Sequence, residues 1–132
     1  MANPVSELQA AILTQLRSSE AFSAGVQGRI LDADPAEIPC AWVGVTADEN
    51  DPTTVSLLAT VHIWKRSGEA AVAALIEEAK VALAESPEIA TASILSWKPV
   101  YSEVRLDEQQ SAYRGLVRFW AMARQGEDKL SG

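Results

Sequence analysis

Apolar and polar positions alternate most cleanly between Val55 and Arg66. Val55, Leu57, Ala59, Val61 and Ile63 interleave with Ser56, Leu58, Thr60, His62 and Trp64, so one side of the stretch is wholly apolar and the other mixed. That period of two predicts a half-buried central strand. After Ser67, Gly68 and Glu69 the period changes. Val72, Leu75, Ile76, Ala79 and Leu83 fall at helical spacing, with Glu77, Glu78, Lys80 and Glu85 mostly elsewhere on the cylinder. An amphipathic helix packed on the sheet is predicted, closed by Ser86-Pro87 because a residue before proline avoids the helical region.

The rest of the chain has to cover that strand and helix. Asn3-Pro4, and Ser6 with Gln9, read as helix-start chemistry, an oxygen cap with proline in the first turn and a capping-box spacing. Leu8, Ile12 and Leu16 then form a buried stripe; Ser18, Ser19 and Glu20 weaken it, Gly25 ends it, and Phe22 and Val26 pin the exit. A short strand is predicted at residues 28–33, then a loop at 34–39 whose two prolines cannot donate ladder bonds. A second strand occupies 39–46 and a projecting acidic connection 47–54. A long strand follows from Ile94 to Leu106, with a bulge or an edge needed at Pro99. A polar hairpin loop at 107–110 leads to a last strand from Ser111 to Arg124, with Tyr113, Gly115, Val117, Phe119 and Ala121 on one side. The predicted fold class is α+β, a two-layer domain at residues 3–124. It has a mainly antiparallel sheet of about four to five strands, two α-helices on one face, and a flexible tail at 125–132.

Two helices cover one sheet face, so the other face of a protein that works alone ought to be polar. Instead it receives Leu58, Thr60, His62 and Trp64 from the central strand and Arg114, Leu116, Arg118, Trp120 and Met122 from the last one. An exposed apolar patch of this kind marks a partner surface, and Trp, Met and Arg are residues that interfaces favour. Either copies of the chain shield this face from one another, or the 34–39 loop or the tail folds over it to complete a monomeric core.

Composition narrows the chemistry. The length of 132 residues suits one domain with a real core, and the single Cys40 and single His62 exclude both an internal disulfide and a Cys/His metal cluster. The first residues lack the charged and apolar regions of a secretion signal and no apolar run is long enough for a membrane span, so a soluble protein made in the cytoplasm is expected, with no membrane partner. A formal charge of -7 argues against tight, charge-driven binding to a phosphate backbone.

No catalytic, cofactor-binding or metal site emerges. Ser56, Ser67 and Cys40 sit in no nucleophile signature. His62 reads as a hydrogen-bonded strand residue at an interface, since a general base also needs a group that orients it. Asp48, Glu49 and Asp51 lack the glycine and bidentate glutamate of a calcium loop. Phosphate loops, dinucleotide fingerprints and metalloprotease pairs are missing. Arg114, Arg118 and Arg124, with Arg105 on the preceding strand, are either a basic track for DNA or halves of intersubunit ion pairs, and eighteen acidic residues favour the second. Burying such a charge unpaired is expensive.

Several segments nevertheless match a known family in order and spacing. They are Leu-Gln-Ala-Ala-Ile-Leu at 8–13, Gly28-Arg-Ile, Pro39-Cys-Ala-Trp-Val-Gly44, Val61-His-Ile-Trp-Lys-Arg-Ser-Gly68 and Tyr113-Arg-Gly-Leu-Val-Arg-Phe119. Across about residues 5–124 the chain resembles the tail-completion, or tail-terminator, proteins of long-tailed bacteriophages and gene transfer agents. The resemblance implies a non-enzymatic ring, usually of six subunits, at the neck end of a phage-like tail. Such a ring caps the tail tube protein, docks the head-tail connector (stopper) protein and lets DNA pass without tight binding. It implies no cofactor. A lumen that repels phosphate calls for acidic or neutral loops, for which Asp48, Glu49, Asp51, Asp107 and Glu108 are candidates. Two other readings stay open: a small α+β enzyme or ligand-binding domain with a site near His62 and the 47–54 loop, and a head-side neck connector component.

Overall fold

A computed structural model describes residues 3–49 and 53–125, with the backbone alone for Glu49. Residues 126–132 of the predicted tail and Asp51 lie outside the described residues, whereas Gln125, counted with the tail, is the last residue of the final strand, paired with Ala92. Asn3 caps the first helix, α1 (Pro4–Arg17), with Pro4 in its first turn. The capping box joins Asn3 to Ser6. Gln9, expected in that role, instead donates to the backbone oxygens of Asp32 and Val43 and ties α1 to the sheet.

The weak point at Ser18 to Glu20 is a true break. Ser19 caps a separate short helix, α2 (Glu20–Gly25), whose Phe22, with Val26 beyond, is fully buried as the exit pin. Two expected helices are thus three.

The strands are β1 (Ile30–Leu31), β2 (Cys40–Glu49), β3 (Thr54–Lys65), β4 (Ala92–Asp107) and β5 (Ala112–Gln125), with α3 (Glu69–Ala82) between β3 and β4. They form one sheet in the order β1-β2-β3-β5-β4, antiparallel except for the β1–β2 pair. The β3–α3–β4 crossover therefore leaves a gap that β5 fills by folding back from the hairpin. At the hairpin Asp107 Oδ1 accepts from the amides of Gln109 and Gln110, an Asx-type turn. One segment limit differs from expectation, and the break expected at Pro99 is found. β2 runs on to Glu49, so Asp48 and Glu49 are strand residues paired with Ser56 and Val55. β4 carries two irregularities, between Ile94 and Ser96 and between Pro99 and Tyr101, on the exposed edge where a proline costs no ladder bond.

All three helices lie on the face that holds the odd-numbered residues of β3 and β5. Leu57, Val61, Ile63, Val117 and Phe119 pack there against Leu8, Ile12, Leu16, Val72 and Ile76 in one core. Gly115 sets how closely α3 approaches, since a Cβ there would stand 2.4 Å from Val72 Cγ1. The two-layer α+β architecture is the one that the alternation and helical periods predict.

Candidate interaction surface

Strand register settles what the uncovered face contains. Cross-strand partners share a face, and Leu58 pairs with Trp120, Thr60 with Arg118, His62 with Leu116 and Trp64 with Arg114. Met122 joins them opposite Ser56. β2 adds Trp42 opposite His62, and β4 adds Lys98, Tyr101, Glu103 and Arg105 opposite Trp120, Arg118, Leu116 and Arg114.

The texture of this face is a mosaic of rings and cations rather than an open greasy patch. Trp42 and His62 stack with centroids 3.8 Å apart and planes 10° from parallel. The Arg114 guanidinium sits 5.8 Å from the Trp64 ring, Arg118 5.7 Å from Tyr101, and Lys98 Nζ 5.6 Å from Trp120. Such pairs are individually modest, about 0.5–1 kcal/mol when exposed and more when desolvated. Packed side by side, they leave Leu58, Trp64, Trp120 and Met122 half-buried. Leu116, expected to be exposed, is 4% accessible, because His62 and Glu103 flank it across the two neighbouring strands. The most exposed large apolar residues of the sheet instead follow the β4 edge, Leu95, Val100, Tyr101 and Leu106.

Polar satisfaction on this face is incomplete. Trp42 Nε1, His62 Nδ1 and Arg118 Nε are buried and have no hydrogen-bond partner among the described residues. His62 was expected to be hydrogen-bonded; its Nδ1 has no partner among the described residues, and its ring stacks on Trp42. Burial, with Arg114 and Arg118 nearby, pushes the imidazole down to about 4, so it is neutral at pH 7. Of the cations, Arg105 alone has an ion-pair partner among the described residues, Glu103, at 2.8 Å. Glu103 also accepts from the Tyr101 hydroxyl, a bond that raises the phenol's pKa and lowers the carboxylate's. Arg114, Arg118, Arg124 and Lys98 have no acidic partner within the described subunit.

The 34–39 loop does not cover the face. It reaches one corner, where Asp34, Glu37, Ile38, Cys40, Trp64 and Gln110 line a cavity of about 90 Å³. Cys40 is buried there as expected, and burial followed by the charge of Asp34 lifts its thiol to about 11.

The remaining candidates are spread apart. Thr54 pairs with Arg124 and Lys65 with Tyr113, so the β2–β3 turn near Asp48 and Glu49 and the hairpin with Asp107 and Glu108 occupy opposite ends of the sheet. The separation is roughly 35 Å at the rise of an antiparallel strand. His62 lies six residues along β3 from Ser56, the partner of Asp48, which is roughly 20 Å. His62 and Asp48 therefore share no site. Among the described residues no cluster of metal-ligating side chains is present, and no helix is long and apolar enough to cross a membrane. Sequence reasoning missed Trp42, Tyr101, Lys98 and Glu103 as members of the face. Trp42 was placed in a strand but on neither of its faces, and the two irregularities in β4 hid the others.

Among the described residues the five-stranded sheet is covered by helices on one side only. The profile of the family described as tail completion protein gp17 matches residues 10–124, and the chain belongs to that family. No curated protein sequence matches it. Among solved structures, it is similar to a chain in a structure titled "Virion of native gene transfer agent (GTA) particle", with a TM-score of 0.75 and 20% identity, covering 93% of this chain and 99% of that one. At that identity the likeness shows the fold. The protein is a structural component of a phage-like tail.

Proposed function

We propose that this chain forms a closed ring of about six copies that caps the head-proximal end of a tail tube, stops tube growth and presents the docking surface for the head-tail connector. The observation that carries the reading is the uncovered sheet face. It offers aromatic rings, four cations with no ion-pair partner among the described residues, and three buried polar atoms without partners there, groups that a covering surface carrying acids and acceptors would satisfy. Tryptophan, tyrosine and arginine are also the residues that dominate contact energies. Residues 3–125 act as the ring-forming unit, with 126–132 as an appended tail.

The role is structural rather than enzymatic, and needs no cofactor. His62 Nδ1 has no orienting partner among the described residues, and the corner cavity beside Cys40 is about 90 Å³, well below the roughly 300 Å³ of a small-molecule site. The larger hollow of about 830 Å³ near Gln15 and Val81 is an open cleft that neither His62 nor Cys40 lines. With the acidic tips at opposite ends of the sheet, one faces the tube and the other the head, and DNA crosses a lumen that does not attract phosphate. The subunit is made in the bacterial cytoplasm and ends at the neck of the particle.

Purified tube protein polymerised with and without this chain tests the reading. Arrested tubes with one ring of density at one end are expected under the electron microscope. Tubes that grow to the same lengths, bare at both ends, would overturn it.

A further inference from the structure

The charge of -7 is unevenly placed. The uncovered sheet face holds Lys98, Arg105, Arg114, Arg118 and Arg124 against Asp48, Glu103 and Asp107, with Asp34 at its corner, so it is net positive on a negative protein. The helical layer is the reverse. Glu20, Glu69, Glu77, Glu78, Glu85 and Glu88 stand there against Arg17 and Lys80, all but Glu78 and Lys80 exposed. α3 also presents Val81, 72% accessible, on its outward side between Glu77 and Glu85.

From this opposition we infer that the sheet face of one copy receives the acidic outer layer of α3 of the next copy. The inference rests on the ring reading above and names the mating surface. Each surface lacks what the other has. The sheet supplies four cations with no ion-pair partner among the described residues and rings around a half-buried apolar floor, while the helix supplies exposed carboxylates and an apolar ridge. Opposed potentials of this kind fix orientation and partner choice. The four long strands span roughly 17 Å by 36 Å, on the order of 600 Å², close to the roughly 800 Å² per partner of a stable interface. A subunit carrying both halves on opposite sides meets two neighbours head to tail. That heterologous contact closes into a ring when its rotation allows, whereas a sheet-to-sheet contact would bring positive faces together and stop at two.

Two charge-reversed chains decide the matter, each altered only at residues off the core. One carries Lys98→Glu and Arg124→Glu; the other carries Glu77→Lys and Glu85→Lys. Circular dichroism confirms that both fold, and light scattering with native mass spectrometry reads assembly with and without purified tail tubes. Each variant alone is expected to need at least about tenfold more protein to assemble. An equimolar mixture should restore the ring, because alternating the two chains makes every contact complementary again. If the helix variant assembles like wild type while the sheet variant fails, the mating surface is overturned and the ring reading stands. Failure of both variants without rescue on mixing overturns it in the same way. If both variants assemble like wild type, neither surface is a contact. Wild-type chains that stay monomeric with and without tubes contradict the ring and the mating surface together.

Discussion

His62 of β3 lies flat against Trp42 of β2, ring on ring at 3.8 Å, on the sheet face that no helix covers. The contact explains a histidine that burial, Arg114 and Arg118 keep neutral in spite of the opposing charge of Asp34. It fills space as a neutral aromatic, and protonation would place a cation among Arg114 and Arg118.

That arrangement gives a pH dependence with a definite sign. The folded imidazole titrates at about 4 and the unfolded one near 6.5. Between those values the unfolded chain binds the extra proton, so stability falls as pH drops through the window. The loss attributable to His62 is on the order of 1–3 kcal/mol by pH 4, reduced by solvent screening of a half-buried group. Urea unfolding at pH 7, 5.5 and 4.5 should show a smaller pH-dependent drop in His62→Gln than in the natural chain, and His62→Ala should still assemble at pH 7.

Core packing should separate from surface packing. Phe119 and Trp97 stack at 4.9 Å on the helix side of the sheet, with Phe119 1% accessible. Phe119→Ala should destabilise the subunit by about 3–5 kcal/mol in chemical denaturation. Trp120, one residue on and facing the other way, should lose far less on truncation in the monomer.

Gly115→Ala tests the approach of α3. The added Cβ meets Val72 Cγ1 at 2.4 Å and Ile76 Cδ1 at 3.2 Å, both in the core, so the helix has to shift. A cost of about 1–3 kcal/mol is expected in the denaturation midpoint, with the far-ultraviolet spectrum unchanged.

Cys40 should be slow toward thiol reagents. Its side chain is buried and its pKa of about 11 leaves little thiolate at pH 7. Reaction with a disulfide reagent should be many-fold slower than for the denatured chain. A rate matching the denatured chain would mean that the β2 corner opens freely.

Period and register carried most of the fold into the sequence. Alternation in residues 55–64 and 113–122 placed every β3 and β5 residue on its correct side, because a one-residue slip would have put charges into the core. What stayed hidden depends on contacts distant in sequence. The α2 break needs Phe22 to find its pocket, and Gln9 serves β2 rather than its own helix end. The burial of Leu116 was illegible for the same reason, since its shield comes from β3 and β4. On the interaction surface, the rings and arginines were readable one strand at a time; their pairing into a mosaic was not.

The central claim, that copies of this chain cover the open sheet face, is tested most directly by the solution mass of Trp120→Asp beside the natural protein. Light scattering should give the natural chain a mass near six times 14.2 kDa. The variant should run as a folded monomer with the natural chain's circular dichroism. A variant that keeps the full ring mass, or that unfolds outright, would contradict the claim.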